Sequence, residues 1–341
     1  MNEQEFKILG ISAFHSLGYT GKNIKILSCE RIIENQFLDV NTPFGRDTSK
    51  KITHGTVVMD YLSQVVPDAI KYSYPISGTF SSTSYSSKQI DHILNNSIDI
   101  VTTSQVGTPE NAGKMKALRD CIDNNTFFCC SAGNDGSNGM YSEAQNDEWI
   151  SVGAIHYDNT LSLTKQQKIN YSSIGEALDF MSLSNLENSY GGHSQGTSFS
   201  TPVFAGMVGL VQDFFIQNTG KKLTYDTLLQ FIKDNCIDLG IEGKDTRTGY
   251  GLFILPDPKI IDINKYIEMG SIKVEKNYNT KIELTIDSKD AYINNTLIKL
   301  DEAPTIINNR TFVPLRFISE TFGYDVEWDN INKKVTIKGT K

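Results

Sequence analysis

The sequence predicts an α/β protein with a mostly parallel sheet covered by helices on both faces, followed by a small α+β domain. Two patterns predict it. Short, nearly all-apolar runs alternate with helical patterns over most of the chain, as strands buried on both faces require. Beyond Pro256-Asp257-Pro258 the pattern changes to short alternating strands and turns. A chain of 341 residues is also long for one small domain, so a large domain and a small one are the natural division.

The predicted strands are 24–27, 70–74, 98–103, 126–130, 150–154 and 178–181, and the predicted helices between them are 57–66, 89–96 and 112–124. In the last helix Met115, Leu118 and Ile122 recur at three and four. In a sheet of this kind the working side chains gather beyond the carboxyl ends of the strands.

Three polar motifs sit at such junctions. Thr53-His54-Gly55-Thr56 precedes an apolar helix. Ser131-Ala132-Gly133-Asn134 follows the strand ending at Cys130. Gly196-Thr197-Ser198-Phe199-Ser200-Thr201-Pro202 leads into a long apolar run, with Pro202 placed in the first helical turn. A lone Gly-Thr-Ser is an ordinary helix cap, a lone histidine a satisfied polar residue and a lone asparagine a turn residue. Together they supply a nucleophile at a helix N-terminus, a base and an amide donor, which is what acyl transfer needs.

At these residues the chain resembles the subtilisin-type serine peptidases. The three motifs stand in that family's order, and His15 to Gly21, Ser151-Val152-Gly153-Ala154 and Asn170 to Gly175 support the resemblance, which covers residues 5–255. It implies the three-layer subtilisin-like fold and a serine endopeptidase acting on proteins or peptides. Ser198 is then the nucleophile, His54 the base, and the Asn134 side chain with the Ser198 N–H the oxyanion hole. It further implies that Ser104, Gln105, Val106 and Gly107 pair with an extended substrate, and that Ala132 and Gly133 help to line its first pocket.

The chain departs from the family at the acid. The family carries an aspartate at the end of the first core strand, and here Glu30 holds that position. A glutamate can still orient an imidazole and stabilise the imidazolium, because that task needs a buried carboxylate at one ring nitrogen. It is one methylene longer, so the backbone must retreat or the base moves out of line. Glu34 and Asp39 are alternatives further past the strand end, and a broken triad is the remaining one. Many relatives bind calcium through an aspartate after the acid and a loop inserted in the helix that bears the histidine. Asp39 matches the aspartate, but no inserted loop separates His54 from Pro67, so that calcium site is expected to be absent and no other cofactor is implied. His15, His92, His156 and His193 are expected to be bystanders.

Composition narrows the partners. A net charge of −8 without a Lys/Arg stripe argues against nucleic acid. Five cysteines, three of them in apolar runs and none in a C-x-x-C pair, read as free thiols of a chain folded under reducing conditions and not as a zinc site. No run of 18 or more apolar residues predicts a membrane span, and residues 1–5 carry no signal-peptide pattern. Synthesis as a cytoplasmic protein is expected, with lysis-dependent release or surface association left open.

The predicted division is a peptidase-like domain at 1–268, a linker at 269–280 and a small domain at 281–341. In the last, Ile307 to Arg310, Pro314-Leu315-Arg316-Phe317-Ile318, Gly323, Glu327-Trp328-Asp329 and Val335-Thr336-Ile337 resemble the stalk domain first named from copper amine oxidases. That resemblance implies an adhesion or spacing unit with a cell-wall or surface partner. It implies no copper, since no histidine or cysteine follows Cys236. Three functions are therefore in competition: an endopeptidase, a catalytically impaired pseudoprotease kept for binding, and an adhesion protein working through its stalk.

Overall fold

A computed structural model describes residues 2–30, 40–42, 52–74, 89–104, 112–141, 143–271, 280–307, 310–330 and 332–339. The chain divides into two compact units, Met1–Ile272 and Lys273–Lys341. The helices of the larger unit are α1 (Glu3–Ile8), α2 (Ile11–Ser16), α3 (His54–Val65), α4 (Ile90–Asn96), α5 (Ala112–Asp123), α6 (Thr197–Thr219), α7 (Tyr225–Asp234) and α8 (Ile263–Ser271). Its strands are β1 (Lys25–Ser28), β2 (Ile70–Ser73), β3 (Ile100–Thr103), β4 (Phe127–Ser131), β5 (Ile150–Ile155), β6 (Phe180–Leu183), β7 (Cys236–Ile237) and β8 (Leu252–Phe253).

Among the described residues these strands form one sheet in the order β2-β1-β3-β4-β5-β6-β8-β7, parallel except for the β7–β8 pair. The chain moves outward from β1 to β2 and then returns to place β3 on the other side of β1. The order therefore reverses between β1 and β3, and the crevice beyond the carboxyl ends of that pair is where such sheets bind ligands. The strand ends fall a residue or two from the predicted ones: β4 closes on Ser131 and β6 runs to Leu183.

Strand β4 shows why the runs are apolar throughout. Phe127 and Cys129 enter one core with α3, α6 and α7, while Phe128 and Cys130 enter the other with α4, α5 and Trp149. Alternate side chains serve opposite faces, so both faces of the strand are buried and the run is mostly apolar. Helix α6 is the centre of the first core, and Thr197 through Thr219 is long and apolar enough to cross a membrane. Its best membrane-like stretch is 89% buried inside the larger unit, which marks it as a core helix. Gly206 lets α6 approach α3, since a Cβ there would lie 2.7 Å from the Val65 side chain.

All five cysteines are free thiols, four of them buried. Burial pushes Cys129 up to about 12, so it stays a neutral hydrophobe. Helix α8 extends past the predicted boundary at 268 and packs Tyr266 against Phe215 and Phe231, so it belongs to the larger unit's core. Most of the predicted linker lies outside the described residues.

The smaller unit carries β9 (Ile282–Leu284), β10 (Asp290–Ile293), β11 (Thr296–Lys299), β12 (Thr305–Ile307), β13 (Arg310–Phe312), α9 (Leu315–Thr321), β14 (Asp325–Asp329) and β15 (Lys334–Lys338). Asn294 and Asn295, both at positive φ, make the β10–β11 turn. The predicted turn residues Asn308 and Asn309 lie outside the described residues. Arg316 donates to the Val326 carbonyl at 2.9 Å and so pins α9 to β14, which gives that side chain a structural task. Trp328 is half exposed opposite Val335 on the final hairpin.

Candidate active site

Glu30 stands two residues beyond β1, at the crevice between β1 and β3. It is wholly buried. Its main chain is held by Ser73, whose hydroxyl donates to the Glu30 carbonyl at 2.7 Å. Its carboxylate is divided between two partners. Oε1 accepts the Ser104 N–H at 3.1 Å, and Oε2 lies 3.4 Å from His54 Nδ1. The extra methylene is therefore accommodated without losing contact with the imidazole, although the contact is long. The alternatives Glu34 and Asp39 lie outside the described residues.

His54 is the first residue of α3. Thr53 caps that helix, its hydroxyl accepting the Thr56 N–H at 3.2 Å, which sets the histidine at the helix mouth and not inside a turn. The Phe199 ring packs on the imidazole with centroids 5.1 Å apart, and Tyr61 packs in turn on Phe199 at 5.8 Å. The imidazole remains partly open to solvent, so one face is seated on aromatic surface and one edge can meet a ligand.

Ser198 is the second residue of α6. The cap is Gly196, with no side-chain cap bond, so neither Thr197 nor Ser198 plays the ordinary capping role. At φ 139° Gly196 holds a backbone conformation that favours glycine. Its N–H is received by the Tyr171 hydroxyl at 2.9 Å and by Ser184 Oγ at 3.2 Å. As the second helical residue Ser198 has an N–H with no carbonyl one turn earlier to receive it, a donor open to negative charge. Its hydroxyl donates to the Ser104 carbonyl at 3.2 Å.

Asn134 follows β4 by three residues. Its Oδ1 accepts both the Thr197 N–H at 2.9 Å and the Thr197 hydroxyl at 3.1 Å. A backbone N–H can only donate, so this pair fixes which amide atom faces α6 and leaves Nδ2 to donate elsewhere. Thr197, the middle residue of Gly-Thr-Ser, is thus the orienter of Asn134. The motif contained it, but nothing local in the sequence says which loop it would reach.

The structure brings Glu30, His54, Ser104, Asn134 and Ser198 to one edge of the sheet. Ala132 and Gly133 are there too, but their backbone groups are occupied. Ala132 bonds to Val152 and Tyr141, and Gly133 to Thr197 and Ser173. They offer a wall and not hydrogen bonds. A Cβ on Gly133 would lie 2.8 Å from Ser173 Oγ and 3.0 Å from the Tyr141 ring, which identifies the side chains behind that wall. Gln105, Val106 and Gly107 lie outside the described residues.

Pro202 is a correction. It is inside α6 and not in its first turn, because the helix already begins at Thr197. Among the other histidines, His193 bonds through Nδ1 to the Asn185 carbonyl and His15 through Nε2 to the Val65 carbonyl. His156 is linked through Tyr171 to Gly196, the cap of the helix that carries Ser198. Among the described residues no group of three or more His, Cys, Asp or Glu side chains gathers as a metal site. At the C-terminal end of α3 the carbonyls of Val66, Pro67 and Ala69 all accept from the buried Lys71 ammonium, at 2.8–3.2 Å.

Comparison with known proteins bears on the family and the fold. The Subtilase family matches residues 47–251, and the copper amine oxidase N-terminal domain matches residues 262–337. The second match includes α8, which packs with the larger unit. Subtilisin NAT of Bacillus subtilis subsp. natto is 28% identical over 228 residues, 58% of this chain and 58% of that protein. The major intracellular serine protease of Bacillus subtilis (strain 168) is 25% identical over 177 residues, 50% of this chain and 53% of that protein. The chain thus spans somewhat more than half the length of these relatives. Two solved structures share the fold at a TM-score of 0.60. The prenylagaramide maturation protease PagA is 19% identical, covering 74% of this chain and 98% of its own. The PatG macrocyclase in complex with peptide is 14% identical, covering 78% and 98%.

Proposed function

The chain belongs to the subtilase family, and from that premise we propose that it is a serine endopeptidase cleaving proteins or peptides through an acyl-enzyme on Ser198. The observation that carries the reading is the buried Glu30 carboxylate facing His54 Nδ1 at the same sheet edge as Ser198. A carboxylate buried at that nitrogen favours the tautomer whose Nε2 can accept a proton, and it stabilises the imidazolium that results.

In this mechanism Ser198 Oγ leaves the Ser104 carbonyl, passes its proton to His54 and attacks the scissile carbonyl. The Asn134 amide and the Ser198 N–H receive the developing oxyanion, in a site where neither donor must reorganise. His54 then returns the proton to the leaving amine. A water molecule repeats the sequence to release the acyl group. Ser104 and the residues after it pair with the substrate backbone, and Ala132 and Gly133 wall its first pocket. No metal takes part in the proposal.

Two observations favour a second reading, that of an impaired relative kept for binding. Ser198 Oγ is engaged with a backbone carbonyl, and the Glu30–His54 contact is long. Hydrolysis of casein and of short peptides by the wild type, Ser198→Ala and Glu30→Asp separates the two. Cleavage lost in Ser198→Ala supports the peptidase. An inert wild type that gains activity on Glu30→Asp supports the impaired relative.

The smaller unit is proposed as an attachment module for a cell wall or surface. Phe312, Phe322 and Trp328 expose about half of their surface there. Sedimentation with cell walls of the full chain, and of a chain ending at residue 272, tests this role. Equal sedimentation of the two contradicts it.

A further inference from the structure

Pro202 creates a gap in α6. In a continuous helix the N–H of residue 202 would bond to the carbonyl of Ser198, and proline has no N–H. The Ser198 carbonyl lies in a buried stretch, where an unpartnered acceptor is costly. Ser104 fills the gap: its hydroxyl donates to the Ser198 carbonyl at 2.7 Å.

The same residue makes two more bonds within the site. Its own carbonyl accepts from Ser198 Oγ at 3.2 Å, and its N–H donates to Glu30 Oε1 at 3.1 Å. Ser104 is itself buried and directly follows β3 at the crevice where the strand order reverses. The neighbouring carbonyl, that of Thr197, has its own side-chain donors in Ser200 Oγ at 3.1 Å and Thr201 Oγ1 at 2.7 Å. The Ser198 carbonyl is thus the one whose partner comes from across the sheet.

We infer that the Ser104 hydroxyl is a positioning residue for the nucleophile. By supplying the bond that Pro202 cannot, it fixes the first turn of α6 against the end of β3. That sets the Ser198 N–H beside Asn134 and the Ser198 hydroxyl relative to His54. The inference rests on the reading of Ser198 as nucleophile. Its distinctive consequence is that Ser104 and Pro202 are coupled: the hydroxyl matters because residue 202 is proline.

The test is a double-mutant cycle on the full chain with wild type, Ser104→Ala, Pro202→Ala and the double variant. For each, kcat and KM on a peptide and the rate of labelling by a fluorophosphonate are measured, with the thermal midpoint alongside. Ser104→Ala is expected to lower kcat and labelling by roughly 10–100-fold, the scale of a small misplacement of a reacting group, with KM within about twofold. In the Pro202→Ala background the backbone N–H is restored, so the same change is expected to cost less than about threefold. Ser104→Thr keeps the hydroxyl and is expected to retain most of the wild-type rate, which covers the case that Ser104→Ala does not fold. Equal costs in the two backgrounds, a fall in thermal midpoint with kcat unchanged, or a Ser104→Thr variant as slow as a hydroxyl-free one would overturn the inference. A wild type that neither cleaves nor labels overturns the peptidase reading, and the positioning role with it.

Discussion

The Glu30 carboxylate faces His54 Nδ1 across 3.4 Å, and its other oxygen is held by the Ser104 N–H at 3.1 Å. Both oxygens of a wholly buried acid are thus committed, one to the base and one to the strand end beside it. In the proposed mechanism the longer side chain is an adapted fit and not an overhang.

From that fit follows the behaviour of Glu30 variants. Glu30→Asp withdraws the carboxylate by about one bond length from a contact that is already long, and peptide kcat should fall roughly 10²-fold. Glu30→Gln removes the charge and favours the wrong imidazole tautomer, with an expected loss of roughly 10⁴-fold. Steady-state kinetics on one peptide checks both. An aspartate variant faster than wild type contradicts the adapted fit.

Asn134 should act only in the transition state. Asn134→Ala is expected to lower kcat by roughly 10²–10³-fold with KM little changed, the scale of losing one oxyanion donor in subtilisin. Thr197→Val keeps the backbone N–H to Asn134 Oδ1 and loses only the hydroxyl bond, so its loss in kcat should be smaller. A comparable rise in KM in either variant argues for a ground-state role instead.

How far the site was legible follows from where its information lies. His54, Asn134 and Ser198 each sit in a short run of small polar residues joined to an apolar element, and such junctions are visible locally. Glu30 was singled out by the family resemblance, which puts an acid at the end of the first core strand, with Glu34 and Asp39 left as alternatives. The bond of Ser104 to the Ser198 carbonyl joins residues 94 apart, and no local pattern carries it. Pro202 misled for a related reason. Proline usually marks the first turn of a helix, but here a side chain just beyond the end of β3 supplies the missing partner, so the helix starts earlier and runs through it. The alternation of apolar runs with helices gave the sheet. The reversal of strand order between β1 and β3, which creates the crevice, is a tertiary choice that periodicity does not encode.

Lys71 should be important for stability. Its buried ammonium donates to three carbonyls where α3 ends, two of them on the buried residues Val66 and Ala69, and its loss leaves them without that donor. Lys71→Met is expected to cost roughly 1–3 kcal/mol, read as a lower denaturant midpoint at unchanged slope. A midpoint equal to that of wild type contradicts it.

Asp245 should make stability depend on acid. Burial alone raises its carboxyl, but the N–H groups of Thr248, Arg247 and Ile241 and the Thr248 hydroxyl outweigh burial and hold it below the usual range. A depressed folded value means stabilisation that is complete above the unfolded value of about 3.9 and lost as pH falls through the folded one. The difference in thermal midpoint between wild type and Asp245→Asn is therefore expected to shrink as pH is lowered from about 6 to about 3. A constant difference across that range contradicts the assignment.

The central claim is that Ser198 is an activated nucleophile, and covalent labelling tests it most directly. The purified protein and Ser198→Ala are treated with a fluorophosphonate and weighed intact by mass spectrometry. The account predicts one adduct on the wild type, mapped to the peptide containing Ser198, and none on the variant. A wild type that stays unlabelled while subtilisin reacts in the same tube would contradict it.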